Sequence, residues 1–166
     1  WKAAGIKVDG VIYETLAEAV AAAKNGTVIT LLPGEYDLKD ITIDKNITIE
    51  GPNAGVHGNA ERAEEALINM NLVKINAAVT IDGVKLLGTG YLGNTPLTGG
   101  AKLSTFILKN SIVDNFKNVF YTDEAHDANL EAHVTFENNR FERIGQFYFW
   151  IANNSEGAGY KSFNLL

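Results

Sequence analysis

Cysteine is missing from the 166 residues, which excludes disulfides, thiolate metal sites and thiol catalysis. Positive charge is scarce. Only Arg62, Arg140 and Arg143 carry a guanidinium, and the net charge is −6. No basic stripe is available to neutralise phosphates, so nucleic acid is excluded as a principal partner. The same acidity repels polyanionic glycans unless a cation or a local basic patch reverses the field. No apolar run approaches membrane-spanning length or has the flanks of a secretion signal, so membrane insertion is not expected. Three histidines, His57, His126 and His133, are too scattered to suggest a zinc site.

What remains is a globular composition, 46% hydrophobic and 20% charged, long enough to bury a core in one domain or one elongated repeat array over residues 1–166. A single short helix is legible at Leu16–Lys24. Thr15 precedes it as N-cap, Glu18 completes a capping box, and Asn25-Gly26 supplies the stop. Everything after it reads as strands and turns: Thr27–Leu32, Leu67–Ile75, Val79–Leu87, Thr105–Val113, Val134–Ile144 and Phe147–Ala152.

These runs recur with a period. Anchored on Ile49, Ile81, Leu108, Phe136 and Phe163, the steps are about 32, 27, 28 and 27 residues, inside the range of stacked repeat architectures. Two positions before the anchor stand Ile47, Val79, Phe106 and Val134; five after it stand Ala54, Leu86, Val113 and Phe141. Val119-Phe120-Tyr121 repeats as Phe147-Tyr148-Phe149. Each coil alone cannot bury its inward apolar residues, and stacking coils about 4.8 Å apart continues the core while satisfying the backbone. Gly51, Gly83, Asn110 and Asn138 share the position two after the anchor. Gly and Asn are the residues that tolerate a left-handed turn, and stacked asparagines there are expected to bond from coil to coil.

The stretch from Tyr13 to Gly55 resembles the opening of the pectin-lyase-like superfamily. The resemblance rests on the helix, Asn25-Gly26-Thr27-Val28-Ile29, Leu32-Pro33-Gly34-Glu35-Tyr36 and Ile41-Thr42-Ile43 through Ile47-Thr48-Ile49-Glu50-Gly51. Arg62–Ile68 and Val79–Val84 add a likeness to repeat-bearing bacterial surface proteins. The fold class that follows is all-β: a single-stranded right-handed parallel β-helix with one N-terminal capping helix at about residues 16–24. These are scaffold motifs. They imply an extracellular or cell-surface structural or adhesive module, with a carbohydrate-binding or polysaccharide-lyase-like domain as the alternative.

No catalytic residue is assigned, because no lyase or hydrolase motif matches residue by residue. The aromatic run Phe147-Tyr148-Phe149-Trp150 sends alternate rings outward, either Tyr148 and Trp150 or Phe147 and Phe149; Tyr148 and Trp150, with Tyr121 and Arg140, are taken as the candidates for stacking on and bonding to sugar. The polar insertion holding Asp123, Glu124 and Asp127 is the candidate position for a divalent metal, calcium being the ion considered; no other cofactor is expected. Lys109 is expected beside Glu137 in the next coil, as a cross-strand ion pair. Gly88–Lys102, rich in Gly and Thr, is read as a side loop. The chain opens without an initiator Met and ends in mid-strand at Leu166. We therefore expect the N-terminal part of a longer solenoid or a homo-oligomer paired through the uncapped C-terminal end, with a loop folded back over that end as the third alternative.

Overall fold

The computed structural model describes residues 5–89, 96–122, 132–151 and 160–166, with 122, 147–151 and 160–161 described by backbone alone. Its strands are β1 (Ile6–Val8), β2 (Val11–Tyr13), β3 (Thr27–Leu31), β4 (Gly34–Ile43), β5 (Ile47–Glu50), β6 (Ala66–Ile75), β7 (Ala78–Asp82), β8 (Lys85–Gly88), β9 (Leu97–Gly99), β10 (Thr105–Lys109), β11 (Ile112–Asp114), β12 (Asn118–Thr122), β13 (Ala132–Glu137), β14 (Arg140–Glu142), β15 (Gln146–Ile151) and β16 (Tyr160–Leu165). One helix, α1 (Leu16–Ala22), interrupts them.

The chain winds as a parallel β-solenoid. From β3 onward the first sheet is β3-β5-β7-β10-β13-β16, every neighbouring pair parallel. The remaining strands stack in a second ladder that turns a corner. β4 and β6 are each ten residues long and bend at Asp40 and Leu72, whose φ values are 52° and 50°. The first half of β6 pairs with β8 and its second half with β9, so one long strand serves two faces. β8, β11 and β14 continue the face before the bend; β9, β12 and β15 continue the face after it.

The inward columns follow strand alternation. Ile49, Ile81, Leu108 and Phe136 stand in register and are buried, as are Ile68, Leu86 and Val113 on the second face. In the later levels the filling becomes aromatic: Phe106 stacks on Phe120 at 5.0 Å, and Phe136 meets both edge-on. Such pairs add to the burial of their area.

Four details of register differ from the sequence expectation. Phe136 pairs with Leu165, and Phe163 pairs with Val134, because β13 and β16 carry an irregularity after Ala132. Phe120 pairs with Phe149 and Tyr121 with Trp150, again after a bulge that follows Asn118. Ala54 does not continue the column of Leu86; Ile68 does, since residues 51–65 leave the coil as a loop. The Gly88–Lys102 segment is not all side loop, because Leu97–Gly99 forms β9, the third-face strand of its level.

The N-terminal end is closed by more than the helix. α1 has its capping box, with Glu18 N–H donating to Thr15 Oγ1 at 3.2 Å and Thr15 N–H donating to Glu18 Oε2 at 3.1 Å. It buries Leu16, Ala19 and Val20 against β4 and the first two strands. It ends at Ala22, two residues before the expected boundary. In addition, β1 and β2 form an antiparallel hairpin over the edge of β3. Its two-residue turn is Asp9-Gly10, with φ of 47° and 84°, as a primed hairpin turn requires.

Candidate functional site

Parallel stacking places chemically similar positions in columns, and each outer face can be read as a surface. On the first sheet, one outward column is Val28, Thr48, Thr80, Ile107, Thr135 and Asn164. Beside it runs Ala78, Thr105, His133 and Ser162. Neither column holds Asp, Glu, Lys or Arg. Side chains bond along the stack here: His133 Nδ1 lies 2.7 Å from Ser162 Oγ, and Asn164 Nδ2 donates to Thr135 Oγ1 at 3.3 Å. A third column, Glu50, Asp82, Lys109 and Glu137, gathers the charge. Lys109 does stand beside Glu137 in register, but its ion pair is with Asp82 on the other side, Nζ to Oδ2 3.2 Å.

The corner that follows carries the expected left-handed residues. Gly83, Asn110 and Asn138 have φ of 68°, 51° and 55°; Gly51 does not share this conformation. Asn110 Nδ2 donates to Asp82 Oδ1 at 2.8 Å, and Asn138 Nδ2 donates to Asn110 Oδ1 at 3.4 Å. The ladder thus exists, and it begins on an aspartate one residue before the glycine.

The strongest electrostatic feature was not singled out by periodicity. Asp114, at the end of β11, is buried, yet two charged side chains close over it. Arg143 grips it in a two-point fork, Nε to Oδ1 2.7 Å and a second nitrogen to Oδ2 2.8 Å. Lys85 reaches Oδ2 at 3.2 Å and also lies 3.8 Å from Glu142. The hydrogen bond from Arg143 holds the Asp114 carboxyl below its ordinary range, against the opposing effect of burial, and Lys85 adds to the lowering. Carboxylate acid–base chemistry needs a pKa near the working pH. Asp114 is moved the other way, an anion fixed by two cations. Arg143 has φ of 47°, a conformation costly for a non-glycine residue, and the fork helps to hold it there. The repeat sets Asp114 over Glu142 in register but gives no sign of the fork, because Arg143 lies just outside β14.

The residues singled out for sugar binding divide between two faces. Tyr121 is half-buried, follows the fully buried Phe120, and pairs through its backbone with Trp150. Tyr148 and Trp150 belong to β15, described by its backbone alone. Arg140 opens β14, across the corner at Arg143, and its Nε lies 2.9 Å from Glu142 Oε1. The fold therefore brings Tyr121 and Trp150 together in register and puts Arg140 on another face, with its charge engaged. Asp123, Glu124 and Asp127, the candidate calcium ligands, lie outside the described residues. Among the described residues, no group of three or more His, Asp or Glu side chains is placed to hold a metal ion. Among them, too, no helix is long and apolar enough to cross a membrane.

No protein-family model, no curated protein and no solved structure matches this chain. The architecture and its surfaces carry the functional reading.

Proposed function

We propose that the chain is an extracellular structural or adhesive solenoid module, of the kind carried by bacterial surface proteins with pectin-lyase-like coils. One observation carries the reading. The charged side chains on the outer faces, Asp82 with Lys109 and Asp114 with Arg143 and Lys85, are spent on bonds between levels. Such bonds favour a stiff stack over a reactive centre. The module presents its uncharged columns as a flat contact face, and it assembles end to end through the edge at β16. Leu165 and Leu166, 55% and 74% exposed, stand at that edge. Light scattering over a concentration series, with electron microscopy, tests the assembly. Rods or oligomers that grow with concentration support it, and a strictly monomeric species at every concentration contradicts it.

A second reading is favoured by the backbone pairing of Tyr121 with Trp150 on the third face: a module that uses these two aromatic residues to bind a neutral glycan. A glycan array with Tyr121→Ala and Trp150→Ala as controls tests it. Turnover, followed by the ultraviolet absorbance of unsaturated products with and without calcium, tests the lyase version.

A further inference from the structure

In a simple solenoid each level touches only its neighbours, so stability is a sum of nearest-neighbour terms and the end level frays first. The loop from Gly51 to Glu65 breaks that pattern. It leaves the stack after β5 and climbs the outside of the corner. Asn53 N–H donates to Gly83 O at 3.2 Å and Gly55 N–H to Asp82 Oδ1 at 3.3 Å, both on the level of β7. Arg62 Nη1 donates to Asn110 O at 2.8 Å, on the level of β10. Gly58 N–H donates to Asn138 O at 2.8 Å, on the level of β13. The loop then returns, and Glu65 O accepts from Gly34 N–H at 3.0 Å, at the start of β4.

The loop is internally braced. Asn53, almost fully buried, closes it by donating to Ala63 O at 3.1 Å and accepting from Ala63 N–H at 2.8 Å. Arg62, whose side chain is 6% exposed, also donates to Val56 O at 2.9 Å and is paired with Glu65. It lies flush against the corner. A Cβ at Gly58 would stand 2.5 Å from Arg140 N and 2.8 Å from Ser111 O, and one at Gly83 would stand 2.0 Å from Ala54 N. Gly58 has no left-handed φ, so close approach is the reason a side chain does not fit there.

We propose that residues 51–65 form an axial strap that ties the β5 level directly to the β10 and β13 levels, so that these levels open together and not one at a time from the C-terminal end. Arg62 is its central fastening and Gly58 its distal one. The strap is a positioning device: it holds the corner at Asn110 and Asn138 in the left-handed turns on which the second and third faces depend.

Native-state hydrogen exchange across a urea series tests this on the whole chain. The strap predicts that amides of β10 and β13 in the parent chain share one opening free energy with those of β5 and β7. It predicts that Gly58→Ala and Arg62→Ala each speed exchange in residues 105–114 and 132–142 by about tenfold or more, the equivalent of one lost charge-assisted hydrogen bond, and by more than in β3 and β5, so that the shared opening free energy splits. Parent amides whose opening free energies fall level by level toward β13 overturn it. Folded Gly58→Ala and Arg62→Ala chains that leave residues 132–142 at parent rates also overturn it. The parent measurement decides the matter if either variant does not fold.

Discussion

Asp114 illustrates what a single buried carboxylate contributes when cations close over it. Its folded pKa is lowered, so the stability it supplies is present above its unfolded value of about 3.9 and is lost as pH falls through the lower folded value. Asp114→Asn should cost about 1 kcal/mol at neutral pH. It should also flatten the fall in stability below about pH 4, and urea unfolding at pH 7 and pH 3 reads both effects. Gly83 makes the complementary point about backbone. Gly83→Ala should cost about 3 kcal/mol by urea midpoint, since it combines a left-handed φ with collision against the strap at Ala54. Asn110→Gly keeps the turn and loses only the ladder bonds to Asp82 and Asn138, so its cost should stay near 1 kcal/mol. The turn residues were legible because Gly and Asn recur at one period. The Asp114 cluster was not, since Lys85, Asp114 and Arg143 meet only when a residue outside the strand, at a left-handed corner, folds back over the level below.

At the scale of elements, the helix was legible because its cap is local: Thr15 and Glu18 satisfy each other's backbone within one turn. Thr15→Ala should destabilise the chain by about 1 kcal/mol and raise exchange in residues 16–22 ahead of the strands. The β1–β2 hairpin had an equally local signal in Asp9-Gly10 between Ile-Lys-Val and Val-Ile-Tyr, outweighed by the parallel period that begins only at β3. Strand runs such as Val79–Leu87 read as one element, yet the chain splits them at Gly83 into β7 and β8. Apolar character persists through the corner, and only the left-handed residue marks the bend. The bulges after Asn118 and Ala132 each moved the aromatic register by one residue; a fixed period has no means of anticipating them.

For the molecule as a whole, the central claim is that one chain rises level by level, with Val28, Thr48, Thr80, Ile107, Thr135 and Asn164 in a single file along the first sheet. The period exposed that file, but it could not show the strap, because residues 51–65 have no counterpart in the other coils and their partners are up to 80 positions away, from Gly58 to Asn138. The absence of cysteine makes the most direct test clean. Spin labels on a cysteine at position 48, paired in turn with cysteines at 107, 135 and 164, measure the height of each level. The solenoid predicts separations that increase in that order by about 4.8 Å per level. Increments of several strand spacings, as in a meander that puts the intervening strands between these positions, or separations that do not increase in that order would contradict the stack and everything built upon it.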